Sequence, residues 1–159
     1  MERGPSAQEI IEGETGEIDP LLHEIDLPSP HPYLNLALML YESALRSSST
    51  SVRFTLLMNG MEALLSAGGA ETSYSTSRNV AVLLATPDDP PKEIFTKMMA
   101  LFRKRGVLLI GQAEAKASRR VGEEDVEYLK SLLGRGIVRA HRLGLDKNAL
   151  LGLLNRSGF

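Results

Sequence analysis

The sequence predicts an all-α fold, a compact bundle of about five to six helices behind a flexible N-terminal leader. Three observations carry this expectation. Apolar residues recur at helical spacing in segment after segment, and no segment alternates apolar and polar residues as a half-buried strand would. Leu, Ala and Met supply the apolar volume, whereas aromatics make up only 5% of the chain and Trp is absent, a balance that favours helices. Pro and Gly fall between the periodic segments rather than inside most of them.

Residues 1–31 form the predicted leader. They hold Gly4, Pro5, Gly13, Gly16, Pro20, Pro28 and Pro30, and their acids Glu2, Glu9, Glu12, Glu14, Glu17, Asp19, Glu24 and Asp26 face one base, Arg3. The one apolar stretch, Leu21-Leu22-His23-Glu24-Ile25-Asp26-Leu27, suits docking on the body or on a partner protein. The domain proper spans residues 32–159 and opens on Pro32, a favoured first helical residue. Leu34, Ala37, Leu38, Tyr41 and Leu45 make the first helix face, which stops at Ser47-Ser48-Ser49. Thr50 or Ser51 is expected to cap a second helix, whose stripe of Phe54, Leu57, Met58, Met61, Leu64 and Leu65 is the strongest periodic signal in the chain. Gly68-Gly69 ends it.

Ser77 is expected to cap a short third helix through Val80, Ala81, Leu83 and Leu84. Pro87-Asp88-Asp89-Pro90-Pro91 breaks that helix and starts a fourth. Val107-Leu108-Leu109-Ile110-Gly111 is too isolated to pair into a sheet and is expected to be buried chain that continues or breaks the fourth helix. After a polar loop, Val126, Leu129, Leu133, Ile137 and Ala140 line a long helix with Glu123, Glu124 and Asp125 at its positive end. Gly134 and Gly136 weaken it and Gly144 ends it; Asp146 caps a last short helix through Leu154.

Composition excludes several chemistries. With 159 residues, 43% hydrophobic and 24% charged, the chain is an ordinary globular domain. It has no cysteine, so disulfides, thiolate metal sites and cysteine nucleophiles are excluded, and a reducing cytoplasm is the expected setting. No apolar run reaches the roughly 20 residues of a membrane helix. Three scattered histidines give no paired-ligand spacing, so neither a metal nor another cofactor is expected. The net charge of −2 is no nucleic-acid signature. It hides an asymmetry, however: Lys104, Arg105, Arg119, Arg120, Arg135, Arg139 and further cations crowd the second half, which predicts a basic surface.

Arg105 is the residue out of place. Ile94, Phe95, Met98, Leu101 and Phe102 define one apolar helix face, and Arg105 falls on its centre line. Arg103 and Lys104 project elsewhere and are expected to be solvated. A guanidinium among apolar neighbours needs an acceptor or a path to water. Glu62, at the flank of the second helix's stripe, is the candidate acceptor.

The order of these pieces resembles the HEPN domain, particularly its Apea-like branch, over residues 32–143. Arg53-Phe54-Thr55-Leu56-Leu57-Met58-Asn59-Gly60-Met61-Glu62-Ala63-Leu64-Leu65 is similar to a family helix with an acid before a small residue and leucines, matched by Glu62. In Phe102-Arg103-Lys104-Arg105-Gly106-Val107-Leu108-Leu109-Ile110-Gly111, Arg105 matches the family arginine and Gly111 the glycine of an Arg-x4-6-His motif. Ile110 stands where the histidine would be. The resemblance implies an α-helical, often dimeric domain, with Arg and His near the dimer seam, and in many members a metal-independent endoribonuclease. In such a site the imidazole moves a proton at the ribose 2′-hydroxyl and the arginine stabilises charge on the phosphate. Isoleucine transfers no proton, and losing a general catalyst costs about 10²–10⁴-fold in rate.

No other histidine restores the pair. His23 and His31 lie in the leader, where solvated imidazoles are the expectation, and His141 lies on the long helix, on the opposite side of its stripe from Arg135. The expected function is a non-catalytic HEPN-like interaction module, a homodimer with residual RNA or phosphate affinity through Arg105, Lys116, Arg119 and Arg120. An endoribonuclease using Arg105 with another proton carrier, and a purely structural helical adaptor, are the competing readings.

Overall fold

The computed structural model describes residues 28–111 and 119–157. Most of the leader, with segment 21–27 and His23, lies outside the described residues, as does Lys116. Six helices follow one another: α1 (Pro32–Arg46), α2 (Thr50–Leu65), α3 (Thr72–Leu84), α4 (Pro91–Leu109), α5 (Glu123–Leu143) and α6 (Lys147–Arg156). The fold is an all-α bundle. Strand-like pairing among the described residues is confined to a bridge between Thr86 and Asp89 in the α3–α4 turn. None of the described helices is long and apolar enough to cross a membrane.

The predicted stripes build the core. Phe54, Leu57, Met58, Met61, Leu64 and Leu65 of α2 are almost wholly buried, and Val126, Leu129, Leu133 and Ile137 of α5 meet them. Three residues join α1 to α2, so the pair folds back as a helical hairpin; α3 and α4 form a second one. α5 then packs against α1, α2 and α3. Its glycines explain how closely. A Cβ at Gly136 would lie 2.9 Å from Leu64 Cδ2, and one at Gly60 of α2 would lie 2.6 Å from Leu133 Cδ2. Residues that weaken isolated helices therefore serve here as seats where a leucine of the neighbouring helix packs directly on the backbone. The pairs Gly60–Leu133 and Leu64–Gly136 advance together along both chains, so α2 and α5 run in the same direction.

Helix ends follow local chemistry. Ser49, one residue before the expected cap, accepts from Val52 N–H, and Asp146 accepts from Ala149 N–H at 2.8 Å. Gly144 closes α5 in the left-handed region at φ 65°.

Four sequence expectations are corrected. α3 begins at Thr72 rather than at Ser77, so Thr76 and Ser77 lie buried inside the helix instead of capping it; their hydroxyls have no partner among the described residues. Tyr74 helps to explain the earlier start, packing edge-on against Phe95 of α4. The stretch from Val107 continues α4 through Leu109 as expected, but it is buried only in part: Leu108 packs against the core, whereas Leu109 and Ile110 are 72% and 85% exposed. Lys104 is not solvated but half-buried against Asp125 of α5. His31 is half-buried too, its Nε2 lying 3.2 Å from the Gly144 carbonyl oxygen.

Candidate functional site

α4 places Ile94, Met98 and Leu101 in the core and then runs on beyond it. Where the stripe leaves the core, Arg105 crosses to α2. Its Nη1 donates to Glu62 Oε1, and its Nη2 lies 3.4 Å from Asn59 Oδ1. Both charged side chains are about one quarter exposed, 24% for Arg105 and 26% for Glu62. Asn59 was missed by sequence reasoning, although it sits three residues before Glu62 and therefore on the same helix face. One position earlier, Lys104 Nζ donates to both oxygens of Asp125 at 2.9 and 3.0 Å, tying the end of α4 to the first turn of α5. Asp125 also accepts from Gly122 N–H, so it holds its own helix start and its neighbour's end together. No local pattern pointed to it.

Other cations turn inward as well, while Arg103, Arg119, Arg120, Arg142 and Arg156 are exposed. Arg135 Nη2 donates to Leu84 O at 3.0 Å, and Arg139 donates to Leu83 O, so both satisfy carbonyls at the end of α3. Arg53 of α2 pairs with Glu123 and Glu127 at the head of α5. Lys147 Nζ lies 3.5 Å from the Glu62 carbonyl oxygen at the end of α2. Burial pushes the Lys147 amine below the usual lysine range.

Among the described residues, the contacts around Arg105 include no histidine. Ile110 is an exposed apolar side chain. Arg119 and Arg120 are exposed in the loop before α5, next in sequence to Glu123, Glu124 and Asp125. Of the four nucleic-acid candidates, Arg105 is thus held by an acid, Lys116 lies outside the described residues, and the two loop arginines face solvent. Nor is any group of three or more His, Asp or Glu among the described residues placed to hold a metal ion. Neither a family model, nor a curated protein, nor a solved structure matches this chain.

Proposed function

We propose that this chain is a non-catalytic, HEPN-like helical interaction module that acts as a homodimer in the cytoplasm. The observation that carries the reading is the commitment of Arg105 to Glu62 and Asn59, with no imidazole among the described residues of the cluster. An arginine that stabilises a phosphoryl transition state must present free N–H donors to it. Here the nearest acceptors belong to the protein, and no histidine among the described residues stands beside them to carry a proton. The exposed Leu109 and Ile110 supply an apolar tip on α4, where the resembled family has its dimer seam.

Residual RNA affinity is assigned to Arg119, Arg120 and Lys116 rather than to Arg105, because the two described loop arginines lie exposed. The test incubates labelled RNA with the purified chain and its Arg105→Ala variant in EDTA. No cleavage by either protein is expected; cleavage by the parent that Arg105→Ala abolishes would establish the endoribonuclease reading instead. Sizing of the parent and of Ile110→Asp tests the association. The parent is expected as a dimer and the variant as a monomer, and a parent monomeric at high concentration refutes the homodimer. Binding of RNA that weakens with salt and with Arg119→Ala/Arg120→Ala separates a nucleic-acid binder from a purely structural adaptor.

A further inference from the structure

α1 is flanked by two grooves. One, of about 370 Å³, runs beside Pro28, Leu38, Met39 and Glu42. The other, of about 530 Å³, lies between α1, α2 and the start of α6, with Leu36, Leu40, Ala63 and Ala67 as apolar wall and Glu62 and Lys147 as polar wall. The two grooves differ in charge. The smaller holds the carboxylate of Glu42. In the larger, Glu62 is already matched by Arg105, whereas no carboxylate among the described residues pairs with Lys147. The larger groove is therefore an apolar slot with one cation short of a counter-charge. Its complement is a short segment that alternates leucine-like side chains with acids.

The chain carries such a segment shortly before α1 in sequence. We propose that segment 21–27 of the leader (Leu21, Leu22, His23, Glu24, Ile25, Asp26 and Leu27) docks in the groove between α1 and α2, with Glu24 or Asp26 facing Lys147. Leu36 is exposed in the described structure although it lines this groove, so the slot has apolar surface left to cover. The root of the leader is fixed on α1 beside the smaller groove, which Pro28 and Asn35 line, so the segment has to cross α1 to reach the larger one. Asn35 donates to Ser29 O at 2.8 Å and accepts from Ser29 N–H at 2.9 Å, which anchors the chain where it enters α1. The His31 ring and the Tyr33 hydroxyl both meet the Gly144–Leu145 loop, two residues before Lys147. Seven extended residues reach about 23 Å, enough to cross α1 from that root. Charge sets the choice of groove, since an acidic segment in the smaller one would meet Glu42. Tethering favours the chain's own segment over a second copy, because a short link fixes it at high local concentration. The assignment does not depend on the dimer reading.

The absence of native cysteine makes a cross-linking test clean. Full-length Leu22→Cys/Ala67→Cys and Leu22→Cys/Met39→Cys are oxidised under mild conditions and sized without reductant. The expected result is an intramolecular disulfide with Ala67→Cys that forms faster than with Met39→Cys. Equal or reversed rates overturn the choice of groove, and products linked only between chains overturn the cis occupant in favour of a second copy. A second measurement labels Lys147 with acetic anhydride and reads the adduct by mass spectrometry. Glu24→Gln/Asp26→Asn should raise labelling about threefold, since losing a counter-charge increases the neutral, reactive amine. Unchanged labelling refutes the contact with Lys147.

Discussion

Breaking the Glu62–Arg105 pair tests whether Arg105 belongs to the architecture or to a ligand. Two unit charges about 4 Å apart attract by about 1 kcal/mol in water and about 4 kcal/mol at an effective dielectric near 20. With both side chains about one quarter exposed, the pair sits between these limits. Desolvation and side-chain ordering offset part of the attraction, which leaves a coupling of about 1–2 kcal/mol. The assay is urea unfolding of four proteins: the parent, Glu62→Gln, Arg105→Met and the double variant. Methionine keeps much of the arginine stem against Phe102 and its neighbours while removing the charge. Each single variant should lower stability, and the double variant should lose less than the sum. A coupling within about 0.3–0.5 kcal/mol of zero, the scatter of independent sites, would refute the structural role. Stabilisation of the parent but not of Arg105→Met by inorganic phosphate would then identify the guanidinium as an anion site.

Further outcomes follow from particular positions. Gly106 lies inside α4 with nothing within 4 Å of a would-be Cβ, so Gly106→Ala should stabilise by about 0.5–1 kcal/mol in the same urea assay. The Ser77 hydroxyl is fully buried and unpartnered among the described residues, so Ser77→Ala should raise stability by about 1 kcal/mol, and a loss would reveal a hidden partner. Burial raises Glu42 above its ordinary 4.5, with Arg46 opposing as the smaller influence. A raised folded-state value means that Glu42 favours folding when protonated and that this contribution is lost as pH rises through the folded value. Glu42→Gln should therefore exceed the parent in stability at pH 7, with the difference closing below pH 4.5; a pH-independent difference would refute the assignment.

The periodic stripes were legible because burial imposes them on every turn. Leu57, Met61, Leu133 and Ile137 announce a core face without any knowledge of their neighbours. Boundaries were less legible where tertiary contacts overrode local chemistry. A serine that looks like a cap became the interior of α3 when the helix gained a turn against α4. The run from Val107 to Ile110 misled in the opposite sense, since apolar character alone does not say whether anything lies above it. Arg105 and Glu62 were readable as a pair because each stands out on its own helix. Lys104 and Asp125 were not, because each looks like an ordinary surface charge until α4 and α5 are brought together.

The charge asymmetry takes on a different meaning once these contacts are in place. A bundle with short connections ends several helices inside or against the body, where their last carbonyls need donors that water supplies poorly. Arginine reaches such carbonyls from a neighbouring helix: Arg135 and Arg139 serve the end of α3, and Arg78 serves Leu154 and Ser157 at the end of α6. Two of these arginines, Arg135 and Arg139, belong to α5, so part of the second half's charge goes to carbonyls that α3 leaves open. A nucleic-acid surface would need the same residues pointing the other way. Among the described residues of the candidate set, the loop arginines are the exposed ones, and they precede the acids that start α5 in sequence. Part of the pattern that first suggests phosphate binding is thus spent inside the protein: Arg135, Arg139 and Lys147 face backbone carbonyls, and Lys104, Arg105 and Lys130 face carboxylates.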